Sequence, residues 1–281
     1  MPLFRHPRFL LPLLACACAA AAAAEPPRRI VSLNLCSDQL LLELVAPERI
    51  ASLTWLSRTD GEPALRVLAA RLPSNRGSAE EVLAARPDLV LAGRYTTAVT
   101  RALLKRAGVA VIEVDAVQDW EGIRRVTREV AAAVGEVARG EALIAQMDAQ
   151  LATTATLRVS TPVRAIGWSG AAEDVPGRDT LFDTILTTAG AVNIAAQPVG
   201  GSGFDLERVL RQRPRLLLRG TAHDGDRAVR SWAANHHVLQ ALPGLSVLEY
   251  SEGAWACGVP RAAAHALELA RALRALPEPA Q

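Results

Sequence analysis

The chain has 281 residues, half of them hydrophobic and 21% charged, which supplies apolar material for a core and excludes a disordered chain. The 31 Lys and Arg face 29 Asp and Glu, and the resulting net charge of +2 argues against a nucleic-acid binder that relies on phosphate contacts. Length alone allows one large domain or two ordinary ones.

Residues 1–24 read as an export signal. Arg5 and Arg8 form a positive start, residues 9–20 form an apolar run too short to span a bilayer, and Ala22, Ala23 and Ala24 form a small-residue cleavage site. Leu13-Leu14-Ala15-Cys16 also resembles a lipobox, which would leave a lipid anchor at Cys16. Either form is exported, and a periplasmic location is expected. With the leader removed, the remaining charges balance, and of four cysteines only Cys36 and Cys257 are left. No later stretch is apolar enough for long enough to predict a membrane span.

Residues 30–33 form a short apolar strand. Asn34-Leu35-Cys36-Ser37 breaks it, and Ser37 or Asp38 is placed to cap a helix over 39–45. A second strand covers 50–53, with a loop at 54–58. A helix at 78–85, a continuous buried-type strand at 89–92, a helix at 100–107 and a strand at 109–114 follow. Strands alternating with helices predict βα units on a parallel sheet. From Gln118 to about residue 157 the pattern is helical, interrupted near Gly135. Residues 136–155 repeat Ala138, Ala142, Leu143, Met147 and Leu151 at helical spacing, and a helix of about 20 residues would be about 30 Å long. It reads as a connector. A strand at 163–168, a helix at 180–189 stopped by Gly190, a strand at 247–250 and a helix at 261–276 complete the chain.

Residues 80–93 echo residues 207–220. Glu, Val, Leu, Arg, Pro, Leu, Leu and Gly recur in register without a gap. The separation is too long for a solenoid repeat, so the echo implies two similar lobes. The expected fold is α/β, with two Rossmann-like lobes on parallel-rich sheets joined by one long helix. The expected divisions are signal 1–24, first lobe 28–135, connector 136–157 and second lobe 158–277.

This plan resembles the periplasmic substrate-binding proteins of ABC importers, in the class that serves corrinoids, ferric siderophores and haem. The resemblance rests on Arg29-Ile30-Val31-Ser32-Leu33-Asn34, the 80–91 segment, Ala107-Gly108-Val109, the connector and the 207–218 segment. It implies a non-enzymatic monomer with no resident cofactor, which holds a small-molecule metal chelate between its lobes and docks on an inner-membrane ABC permease. In this class one Glu on each lobe meets permease arginines, and the matching positions are Glu80 and Glu207. Their matched place in the repeat agrees, although a first-turn Glu also suits a helix N-terminus by itself.

Ligands of open α/β lobes sit beyond the carboxyl ends of the strands. The loops there hold Asn34, Cys36, Ser37, Trp55, Arg94, Tyr95, Trp168, Trp255 and Cys257. The four aromatics could stack on a large planar ligand, and Arg94 could pair with its carboxylates. Trp120 and Trp232 fall on helices and suit packing. Corrinoid binders carry an acid–base pair after the last strand, and Trp255-Ala256-Cys257-Gly258 has none, which argues against vitamin B12. Cys36 and Cys257 fit a disulfide in an oxidising compartment, a thiolate pair on a soft metal, or two separate thiols.

Two other functions compete. Gly167-Trp168-Ser169-Gly170-Ala171 partly matches a hydrolase nucleophile elbow, with Asp205 or Asp224 and His265 as partners, but Ala171 replaces the final Gly. A free metal-ion binder would need converging His and carboxylates, and His236-His237 read as a surface turn.

Overall fold

The computed structural model describes residues 25–94, 96–169, 175–195, 206–221 and 236–277. The export signal and Cys16 lie outside the described residues.

The first lobe runs β1 (Ile30–Ser32), α1 (Leu35–Leu44), β2 (Ile50–Thr54), α2 (Leu56–Thr59), α3 (Pro63–Ala69), β3 (Ser74–Asn75), α4 (Ala79–Ala84), β4 (Leu89–Gly93), α5 (Ala98–Arg106) and β5 (Ala110–Val114). Its sheet has the order β3-β2-β1-β4-β5, and every pair is parallel. β1 and β4 are buried along their whole length, as a strand covered on both faces must be. α1 begins earlier than the sequence pattern predicts. The Asn34 side chain, not Ser37 or Asp38, is the cap, and it accepts from the N–H groups of Cys36 and Ser37. Ser37 and Asp38 therefore lie inside the helix and are fully buried.

Between the two sheets the chain runs through α6 (Trp120–Ala133) and α7 (Val137–Thr156). Asp119 caps α6 through the N–H of Gly122, and Gly135 turns the chain between the helices at φ 74. A Cβ at Gly140 would stand 2.5 Å from the Cβ of Ala131, so the glycine lets α6 and α7 approach closely. Outside that seam, Arg124 bridges to Asp148 and Arg128 to Glu141.

The second lobe runs β6 (Val163–Trp168), α8 (Leu181–Thr188), β7 (Ala191–Asn193), α9 (Leu206–Gln212), β8 (Leu216–Thr221), α10 (His237–Gln240), β9 (Ser246–Ser251), α11 (Glu252–Trp255) and α12 (Ala262–Ala275). Its sheet has the order β7-β6-β8-β9 and is also parallel throughout. Ile144 and Met147 of α7, Ile185 of α8 and Leu269 of α12 share one core against this sheet.

The sequence echo is a structural repeat. α4 leads into β4 beside β1, and α9 leads into β8 beside β6. Arg86 and Arg213 end the two helices in the left-handed region, at φ 47 and φ 46. Each precedes a proline, which disfavours right-handed helical geometry in the preceding residue, so both helices stop in the same way.

Candidate functional site

The carboxyl ends of the two sheets are brought together by the chain that follows β9. Cys36, in the first turn of α1, is joined by a disulfide to Cys257, just beyond α11, with 5.0 Å between their Cα atoms. The Gln39 amide donates to the Gly253 carbonyl at 3.4 Å, and Arg261 pairs with Glu43. Gly253 packs so tightly on the Asp60 carbonyl that no side chain fits, and Gly258 is similarly pressed against Val117. His265 Nε2 lies 3.2 Å from Glu62 Oε2 across the same seam. Burial alone would raise the Glu62 carboxyl, but the hydrogen bond and charge of His265, the Ala64 N–H and Arg261 hold it below the ordinary carboxylate range. The Cys36–Cys257 disulfide closes a loop spanning 221 positions, which in the chain-entropy model stabilises the fold by about 5 kcal/mol.

The repeat shapes both sides of this junction. Gly93 and Gly220 are equivalent, and each leaves room for a polar side chain. A Cβ at Gly93 would stand 2.5 Å from Asn34 Nδ2, and one at Gly220 would stand 2.2 Å from Glu252 Oε1. Glu252 also accepts from Ser169 Oγ at 3.0 Å, tying the end of β6 to the end of β9. Glu252 went unrecognised in the sequence. The acidic residue after the last strand lies three positions before Trp255, where the strand's real end places it.

The aromatic residues divide. Trp55 is 45% exposed just after β2, with the Arg76 guanidinium 6.0 Å above its ring. Tyr95 lies outside the described residues, and Arg94 is exposed beside it. Trp168 and Trp255 require correction as stacking surfaces, being only 4% and 8% exposed. Trp168 packs with Val209, Leu217 and Leu239. Trp255 packs against Phe182, Tyr250 and His265, at ring separations of 5.4, 4.9 and 6.0 Å. Alternation along β6 turns Trp168 inward, and the α11 turn tucks Trp255 under α12. Trp120 donates to Thr188 Oγ1 at 2.9 Å and Trp232 lies outside the described residues.

The hydrolase arrangement is also corrected. The Ser169 hydroxyl meets a carboxylate, and His265 is held by Glu62 and, at 3.8 Å, Glu268. Residues 170–174, Asp205 and Asp224 lie outside the described residues. The paired sulfurs leave no thiolates for a soft metal, and among the described residues no group of three His, Cys, Asp or Glu could hold a metal ion. His236 caps α10, with the His237 ring stacked 4.6 Å away.

Glu80 and Glu207 are both exposed in the first turns of α4 and α9. Glu81, not Glu80, folds back on the backbone by accepting from the Arg76 N–H. Glu207 makes a 3.6 Å pair with Arg211 one turn on.

Asp38 is the buried charge beneath this junction. Its Oδ2 accepts from the Thr54 N–H and from the hydroxyls of Thr54 and Ser57. Burial pushes its carboxyl up, the hydroxyls of Ser32, Ser57 and Thr54 pull it back, and the result is about 6 against an ordinary 3.8. The folded state thus binds more protons than the unfolded state between those values, and stability falls as pH rises from about 4 to about 6. The shift corresponds to about 3 kcal/mol. Asp38→Asn keeps an oxygen for the three donors and is expected to flatten that slope in denaturant titrations run from pH 4 to pH 7. An unchanged slope would assign it to other groups.

Residues 30–243 match the family model for periplasmic binding proteins. The periplasmic haem-binding protein RhuT from Roseiflexus sp. RS-1 superposes with a TM-score of 0.70 at 25% identity, covering 89% of this chain and 98% of that one. A periplasmic haem-binding protein from Pseudomonas aeruginosa gives 0.69 at 22%, covering 91% and 95%. The vitamin B12-binding protein BtuF of Vibrio cholerae gives 0.68 at 16%, covering 90% and 99%. The latter two are likenesses of fold. No curated protein sequence matches the chain significantly.

Proposed function

We propose that this chain, which belongs to the periplasmic binding protein family, is the solute-binding component of an ABC uptake system and carries a metal chelate between its lobes to the permease. The observation that carries the reading is the family match over residues 30–243, with the sheet ends of both lobes meeting along one seam. Export by the 1–24 leader fits that role, and a single chain supplies both walls of the site.

Haem is the first ligand of the corrinoid, siderophore and haem group to test, because the RhuT likeness at 25% identity is to a haem-binding protein. Trp55 supports a planar ligand, since its exposed indole under Arg76 offers a flat face with a cation beside it. Glu80 and Glu207 serve the permease. Absorbance titration of the leaderless protein with haemin is expected to give saturable one-to-one binding that Trp55→Ala weakens about tenfold, the loss of roughly 1.4 kcal/mol of stacking. Binding of cyanocobalamin or ferrichrome in place of haemin would move the assignment to that chelate. Binding of none would overturn the reading.

A further inference from the structure

We infer that Cys36–Cys257 is a thiol–disulfide exchange site coupled to ligand capture, entered by a dithiol reductant at Cys36. The coupling rests on the proposed inter-lobe ligand site; the exchange chemistry does not. Three observations carry it. The bond joins the first turn of α1, next to the cap residue Asn34, to the segment that closes the seam from the second lobe. Its two cysteines differ in exposure, because Cys36, in the first turn of α1, is partly exposed while Cys257 is completely buried. Two further contacts, Gln39 to Gly253 and Glu43 to Arg261, cross the same seam.

Chemistry follows from that asymmetry. A thiolate of the dithiol attacks Cys36 Sγ, the Cys36–Cys257 bond breaks, and Cys257 leaves and takes up a proton. The second thiol of the reductant then attacks its own sulfur in the mixed disulfide, closing the oxidised ring and releasing Cys36. Two electrons pass from the dithiol to the protein, leaving two protein thiols and one cyclic disulfide.

Reduction removes the one covalent tie across the seam while the polar contacts keep the lobes together. The loosened site binds ligand more weakly. By linkage, the factor by which reduction weakens binding equals the factor by which bound ligand shifts the thiol–disulfide equilibrium toward the disulfide.

Access is tested first, without ligand. Cys257→Ser and Cys36→Ser each leave one thiol, to be timed against a bulky aromatic disulfide. Cys36 is expected to react at least tenfold faster, and equal rates would overturn the exchange site. Coupling is then tested with gallium protoporphyrin, a redox-inert probe. The reduced protein and the Cys36→Ser/Cys257→Ala variant, which preserves the apolar setting of Cys257, are both expected to bind it at least fivefold more weakly with unchanged circular dichroism. Saturating probe should shift the equilibrium with dithiothreitol toward the protein disulfide by the same factor. Affinities within twofold, or loss of the folded spectrum in both reduced forms, would overturn the switch. If the porphyrin fails to bind the oxidised protein, the haem reading fails, and the reactivity comparison still decides the exchange site.

Discussion

Reversing the charge of Glu80 and Glu207 together is expected to abolish uptake while leaving chelate affinity unchanged. Neither side chain holds the fold. Glu80 makes no hydrogen bond or ion pair among the described residues, and the exposed Glu207–Arg211 pair at 3.6 Å is of the kind that contributes little. Each carboxylate favours its helix N-terminus by roughly 0.3–1 kcal/mol, so Glu80→Lys/Glu207→Lys should remain folded. Docking responds differently. The repeat presents the two carboxylates at matched positions on related lobes, and opposing a cationic partner with two new cations costs several kcal/mol, or roughly 100-fold and more in association. Single reversals should fall between. Transport into vesicles carrying the cognate permease, with parallel titration of the ligand, separates the two effects. Normal transport by the double variant would remove both residues from docking.

The architecture was largely legible because it is written in short-range patterns. Residues 89–92 read as a buried strand, and the 80–93 echo of 207–220 implies a second lobe. Its arginines could also have been read further. An Arg-Pro step after a helix restricts the backbone, and the left-handed Arg86 and Arg213 are the consequence. β3 and β7 were missed because two or three residues carry no periodicity. The site was less legible. Its walls are set by which face of a strand a residue takes and by where the strand stops, and a single residue of register decides both. Trp168 and Trp255 sit at the right ends of the right strands and still point into the core. Asn34 looked like a strand breaker, yet Gly93, 59 positions later in the numbering, makes room for it to cap α1. Asp38 is invisible to pattern reading, since a carboxylate in a helix is ordinarily solvated.

Trp255→Ala is expected to cost stability before it costs ligand. The side chain is 8% exposed and sits in a ring cluster with Phe182, Tyr250 and His265. Truncating an aromatic of this kind removes about 3–5 kcal/mol, the lost transfer energy plus the cavity left behind. For a chain of this size that lowers the midpoint of thermal unfolding by about 10 °C. The damage should spread along the seam, because His265 stacks on the indole while facing Glu62 of the other lobe, and a freed His265 leaves the Glu62 carboxylate buried without its partner. Trp255→Phe retains a ring against the same neighbours and should recover most of the loss, whereas His265→Ala should reproduce part of it with Trp255 intact. The double variant Trp255→Ala/His265→Ala should then lose less than the sum of the two single changes, because the residues are in contact. A Trp255→Ala protein that unfolds at the parental temperature but binds chelate weakly would return the indole to the ligand and displace it from the core.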